Sequence, residues 1–304
     1  MNIFICGGSG YLATCLAFSL SNKYKIFLGT RNPKKIKIKK KNLKIVKVNY
    51  FSKKNLIKKF KKINIVINLV GMPKAKSINK KSIKLKKESV LNIIYACKKN
   101  KVNKLIYLSS MQVYKQFHKK NIINEYSHIN KKNYYSSAHL EAEKILSSKH
   151  EIFKDYIIIR AASIFGANVY SLSTELILTL INSFCHQLVT TKKLIISKPQ
   201  VVRNFLPLSV FINFIDKIIK NKINGNIKII NLGYKTYYLY QIAEILKKRF
   251  IKIFRNKPMI ILKKYEKNNK KFLFNSIYTN FEFNKKIFLK EIDKTLILFN
   301  KIFN

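Results

Sequence analysis

Three of the chain's eight glycines fall at positions 7, 8 and 10, directly after an apolar run at 3–6 and directly before a helical pattern that begins at Tyr11. No other feature constrains the fold as much. Gly7 and Gly10 permit a tight turn with close backbone approach, and Ala13 is small enough for the helix to pack against the strand. Such a turn offers helical N–H groups and the positive end of the helix dipole to a pyrophosphate. A lone glycine turn is weak, but the pattern of the first half strengthens it. Short β-branched runs at 2–6, 25–29, 43–48, 64–69, 104–108 and 156–160 alternate with helical patterns at 11–21, 53–61, 82–99 and 134–147. Strand–helix alternation implies parallel strands with crossover helices, and wholly apolar strands suit a sheet covered on both faces. The expectation is an α/β fold, with a doubly wound parallel sheet over residues 1–162 that binds a dinucleotide.

From about 163 the alternation breaks. Helical patterns at 170–189, 210–220 and 239–250 surround an irregular or extended stretch at 193–205 and a strand at 227–232, and a lysine-rich tail closes the chain. This predicts a smaller C-terminal α+β part, 163–304, that binds substrate.

Charge narrows the function less than its size suggests. Lys and Arg number 62 against 13 Asp and Glu, a formal +49, yet only five of the 62 are arginine. Asn, Ile, Phe and Tyr are abundant too, while Gly, Pro and Trp are scarce, as in chains encoded by AT-rich codons. The lysines run through every segment and show no focused basic face, so nucleic acid is not the expected partner. Three scattered aspartates leave little for a two-carboxylate glycosidase. The cysteines form no CxxC and the histidines no HExxH, so no metal site is expected. Neither a secretory signal pattern nor an apolar run of about 18–20 residues appears, and a soluble cytoplasmic protein without a membrane span is expected.

The second strand refines the cofactor. A dinucleotide site of this kind ordinarily places an acid about 20 residues beyond the glycines, on the adenine ribose. No Asp or Glu precedes Glu88, and the strand ends Gly29-Thr30-Arg31-Asn32. A guanidinium there suits a 2′-phosphate, which favours NADP over NAD.

Together, the glycine turn, Asn68-Leu69-Val70-Gly71, Leu108-Ser109-Ser110 with Val113-Tyr114, Tyr135 through His139 to Glu143, Arg160 through Gly166, Arg203 and Asn231-Leu232-Gly233 resemble the extended short-chain dehydrogenases/reductases. More narrowly, they resemble the nucleotide-sugar epimerase/dehydratase family, over roughly residues 1–250. The resemblance implies a Rossmann-like fold and hydride transfer at a sugar carbon of a nucleotide sugar. It implies cofactor contacts at Gly7, Gly10, Tyr11, Leu12, Thr30, Arg31, Asn49, Leu69, Val70, Gly71, Tyr135 and His139. Ser110, Ser163 and Arg203 would touch substrate, with Arg203 directed at the diphosphate. Ser110, Tyr135 and His139 would be catalytic, Tyr135 as general acid/base. A homodimer is left open.

Two departures from the family pattern matter. Its lysine four residues after the tyrosine is His139 here, in a chain with 57 lysines. An unperturbed tyrosine has a pKa near ~10 and needs a nearby positive charge to ionise at neutral pH. His139 could supply that charge if its pKa rises, or could only hydrogen-bond the ribose. The acidic pair of the dehydratases is Met111 and Gln112, which argues against water elimination. Epimerase and 4-keto reductase both remain open. So does a degenerate, non-catalytic relative that binds RNA or a protein complex.

Overall fold

Residues 1–71, 79–115, 122–130, 133–149, 155–167, 179–221, 228–264, 270–279 and 282–304 are described by a computed structural model. The apolar runs of the first half become β1 (Asn2–Cys6), β2 (Lys25–Thr30), β3 (Leu43–Lys47), β4 (Ile65–Asn68) and β5 (Lys104–Ser110). After the short β6 (Ile122–Ile123) come β7 (Asp155–Ala161) and, much later, β11 (Ile229–Leu232). Seven of these strands form one sheet in the order β11-β7-β5-β4-β1-β2-β3. The chain starts in the middle, winds outward to β3, then returns to β4 beside β1 and winds outward the other way. β1 and β4 are parallel neighbours with Cys6 opposite Asn68, so the chain leaves both strands side by side where the winding reverses. Doubly wound sheets bind ligands at that crevice.

α1 (Tyr11–Leu20) packs on β1 and β2, while α2 (Lys53–Lys59), α3 (Lys80–Lys99) and α4 (Tyr134–Ser148) lie side by side. Phe4, Val66, Leu105, Phe60, Val90, Ile94 and Leu146 join in one core, all at most 3% exposed. Burying a side chain of this size contributes about 1.5–3 kcal/mol. That core makes the sheet a rigid platform for the loops at its carboxyl ends.

The chain packs as two compact units. The first comprises Met1–Lys115, His128–Arg160 and Phe214–Ile230, and the second Gln116–Ser127, Ala161–Asn213 and Asn231–Asn304. The second contains β8 (Ser163–Phe165), β10 (Val202–Pro207) and β12 (Lys235–Tyr238), in the order β12-β10-β8. It also holds the parallel pair β9 (Lys193–Ile196) and β13 (Met259–Leu262), and β14 (Leu273–Phe274), which pairs with β6. Its helices are α5 (Leu180–Thr191), α7 (Leu239–Phe254) and α8 (Lys285–Phe303), and α6 (Leu208–Ile219) runs across the division. The start of the helix expected at 170–189 lies outside the described residues.

The lysine-rich tail is not merely a tail. Asn284 caps α8 by accepting the N–H groups of Lys286 and Ile287 at 2.9 and 3.2 Å, and Phe288, Ile292, Leu296 and Phe299 are buried along one face. No helix among the described residues is long and apolar enough to cross a membrane.

Candidate active site

The glycine turn joins β1 to α1. Gly7 sits at φ +89°, and a Cβ there would lie 2.9 Å from the Leu69 carbonyl oxygen. A Cβ on Gly8 would lie 2.7 Å from the Gly29 carbonyl oxygen. Only glycine fits this cradle. Its shape is held by the Gly10 N–H donating to Gly7 O at 2.9 Å and the Gly8 N–H to Gly29 O at 2.7 Å. Tyr50, which the sequence did not single out, locks the turn from below. Its hydroxyl accepts from the Gly7 N–H at 2.8 Å and donates to Gly29 O at 2.6 Å. Gly10 is the N-cap of α1, and no side chain caps that helix or places an acid in its first turn, where Tyr11 and Leu12 lie. A close backbone cradle opening onto an uncapped helix fits a dinucleotide pyrophosphate. Leu69, Val70 and Gly71 leave β4 directly alongside, the Leu69 N–H bonding Cys6 O at 3.3 Å.

At the end of β2, Thr30 is buried and its hydroxyl accepts from the Asn32 N–H at 3.2 Å. Arg31 is exposed and lines a cavity of about 440 Å³ together with Lys47, Asn49, Asn55 and Lys59. The structure therefore brings Arg31 and Asn49 together, with two cations that the sequence left undistinguished.

The catalytic candidates meet where β5 ends and α4 begins. Asn133 opens α4 with a reciprocal cap, accepting the Ser136 N–H at 3.0 Å while its own N–H donates to Ser136 Oγ at 3.2 Å. That cap fixes the first turn, which carries Tyr135. Tyr135, His139 and Glu143 then recur at four-residue spacing along one face. Tyr135 and His139 meet edge to face, ring centroids 4.7 Å apart. Burial pushes the Tyr135 phenol above its ordinary range, and a hydrogen bond with the Ser110 side chain partly counters it. Ser110, 8% exposed, also accepts the Gln112 N–H at 3.2 Å.

His139 is buried, with Nδ1 3.1 Å from the Tyr107 hydroxyl. Burial, and after it the charge of Lys86, hold its pKa well below the imidazole range. Both effects run against a charge on the His139 ring, the direction opposite to the one a charged imidazole would need. Burial likewise lowers Lys86 of α3 to about 7.

Below this trio, Glu143 takes the Arg160 guanidinium in a forked pair at 2.7 to 3.2 Å and accepts from the Ser109 hydroxyl, while Arg160 Nη1 donates to the Tyr114 hydroxyl at 2.9 Å. The network ties α4 to β5 and β7, with Glu143 and Arg160 both at most 5% exposed. The spacing Tyr135, His139, Glu143 was the only sequence signal for it. Ser163 opens β8 opposite Phe205 of β10, and on β10 Arg203 Nη1 donates to the Val202 carbonyl at 2.9 Å. Ser163 and Arg203 belong to the second unit and the catalytic trio to the first.

The chain belongs to the NAD dependent epimerase/dehydratase family, whose model matches residues 3–233. No curated protein matches it by sequence. Among solved structures, it is similar to the UDP-N-acetylglucosamine 4-epimerase of Methanobrevibacter ruminantium M1, solved with UDP-N-acetylmuramic acid. That likeness has a TM-score of 0.83 at 18% identity and covers 99% of this chain and 98% of that one. It is also similar to the UDP-glucuronic acid 4-epimerase of Bacillus cereus, solved with UDP-glucuronic acid and NAD, at a TM-score of 0.79, 16% identity, and coverage of 99% and 100%. The UDP-glucose 4-epimerase of Thermotoga maritima, solved with UDP-glucose, gives 0.77 at 15% identity with both chains fully covered. At these identities the likeness speaks for the fold.

Proposed function

We propose that the protein is a nicotinamide-dependent enzyme that moves a hydride on a nucleotide-activated sugar, and that it is an epimerase. The observation that carries this reading is the convergence of Ser110 and Tyr135 at the carboxyl end of the sheet that also carries the glycine cradle. The cradle and the first turn of α1 would hold the pyrophosphate, and Val70 and Gly71 the nicotinamide end. When bound, the nicotinamide supplies a hydride acceptor and donor.

The chain's own groups manage the proton. Ser110 holds the reacting hydroxyl oxygen, and Tyr135 takes that oxygen's proton as the carbon becomes a ketone and returns it when the alcohol re-forms with inverted configuration. Its raised pKa keeps Tyr135 protonated without cofactor, so proton uptake awaits the positive charge of the oxidised nicotinamide. Family membership and the 4-epimerase names of the similar structures support epimerisation. No acid succeeds Ser110, since Met111 and Gln112 stand there, and this speaks against water elimination. Arg203 and Ser163 of the second unit are assigned to the substrate, the guanidinium suiting its diphosphate.

For the cofactor we favour NADP over NAD. Arg31, Lys47 and Lys59 line one cavity at the end of β2, and three cations with no acid match a 2′-phosphate better than a ribose hydroxyl. Calorimetric titration should give NADP at least tenfold tighter than NAD, with Arg31→Ala removing most of the difference; equal affinities would refute the preference. The function itself is tested by incubating the protein with UDP-hexoses, UDP-hexuronic acids and UDP-N-acetylhexosamines and monitoring the sugar protons by NMR. An epimer should appear from at least one of them, and none from any would overturn the reading.

A further inference from the structure

Position 139 holds an imidazole, and a buried lysine from another helix faces the same Tyr107 ring. Lys86 projects from α3 and is 7% exposed. Its Nζ donates to the Val70 carbonyl and lies 5.0 Å from the centroid of the Tyr107 ring. A Cβ on Gly71 would be 3.0 Å from the same Nζ. Among the described residues, no carboxylate pairs with it. A lysine buried without a counter-ion is costly, so a purely structural position would favour an apolar side chain.

We propose that Lys86 supplies from α3 the positive charge that position 139 lacks, acting as a positioning residue that braces the Val70–Gly71 backbone and keeps His139 a neutral hydrogen-bond donor. The phenol of Tyr107 stays protonated, because burial raises its pKa well above the ordinary value and the charges of Glu143 and Tyr135 add to this. In the proposed arrangement this phenol donates to Nδ1 of His139, which leaves the ring proton on Nε2. A cationic His139 could not accept that bond. Among the described residues, the charged and titratable groups around Lys86 are Tyr107 on β5 and His139 on α4, with Tyr135 and the Arg160-paired Glu143 beyond them on the same α4 face. Lys86 is charged below about pH 7 and loses its charge as the pH rises through that value.

The inference rests on the proposed hydride-transfer reading for its role, but it can be tested without turnover. In the unaltered, cofactor-free protein, the side-chain carbon NMR signal of Lys86 should report a charged ammonium at pH 6, and a midpoint below 6 would overturn the proposal. In Lys86→Met, the His139 ring signal should titrate at least one pH unit higher than in the unaltered protein, and an unchanged midpoint would overturn it. In turnover assays, Lys86→Met should lose at least tenfold in kcat, along with the decline in rate that the unaltered enzyme shows as pH rises through about 7. Adding His139→Lys to Lys86→Met should restore most of the rate, because the charge returns to α4. A double variant no faster than the single one would contradict the exchange of roles. If no nucleotide sugar is turned over by the unaltered protein, the functional reading fails, while the two NMR titrations still decide the state of Lys86.

Discussion

Replacing Glu143 with alanine should be among the most damaging single changes in the first unit. Glu143 and Arg160 are 4% and 5% exposed, and the guanidinium meets both carboxylate oxygens. Removing one partner of a buried pair leaves an uncompensated charge and costs about 3–5 kcal/mol. The Ser109 hydroxyl also loses its acceptor, a further ~1 kcal/mol. Because one carboxylate serves both partners, these costs overlap, and a loss of about 4 kcal/mol is expected. With no tryptophan in the chain, urea unfolding can be monitored by tyrosine fluorescence and far-UV circular dichroism. The control is Arg160→Met in the Glu143→Ala background. It removes the stranded charge and should recover about 2 kcal/mol, since apolar replacement of a whole buried pair is often neutral. A single-variant loss below about 1 kcal/mol, or a double variant no more stable than the single, would refute the assignment of this pair as the anchor of α4.

Three further outcomes are expected. Gly7→Ala places a Cβ 2.9 Å from Leu69 O at a φ of +89°, so it should cost about 1–3 kcal/mol in stability and abolish nicotinamide-nucleotide binding in a fluorescence titration. Tyr135→Phe should lower kcat by about 10²–10⁴-fold in the turnover assay. Asp216, although burial alone would raise it, is brought down to about 2 by hydrogen bonds from Lys23, Tyr24 and Lys220. A carboxylate with a depressed folded-state pKa stabilises above its unfolded value of about 4 and loses that contribution as pH falls toward 2. The gap in Tm between the unaltered protein and Asp216→Asn should therefore be full at pH 5 and close by about pH 2.

Much of the sheet was legible because its strands are apolar runs and its helices carry apolar stripes at helical spacing. The reversal point between β1 and β4 was foreshadowed by the glycine turn. α8 was missed although Phe288, Ile292, Leu296 and Phe299 recur at helical spacing, because Lys285, Lys286, Lys290, Lys294 and Lys301 fill its other positions and read as a basic tail. Lys86 was illegible for a similar reason, as nothing in a sequence with 57 lysines marks those that the fold buries, Lys86 and Lys104 among them. Spacing could put Tyr135, His139 and Glu143 on one helix face. It could not show that the face meets Tyr107 and Ser109 from β5 and Arg160 from β7, because those contacts cross 17 to 34 residues of chain. Nor could the substitution of His for Lys reveal its own consequence, since the ring's charge depends on burial and on a cation from another helix.

The central claim is that hydride leaves and returns to one sugar carbon while Ser110 and Tyr135 handle only the proton. It is tested most directly by supplying a UDP-sugar deuterated at C4, in ordinary water, and characterising the epimer by NMR and mass spectrometry. The account predicts an inverted product that retains the deuterium at C4, with no net consumption of cofactor and no product from Tyr135→Phe on the same timescale. Loss of the deuterium to solvent, or inversion that proceeds undiminished without the Tyr135 hydroxyl, would contradict it.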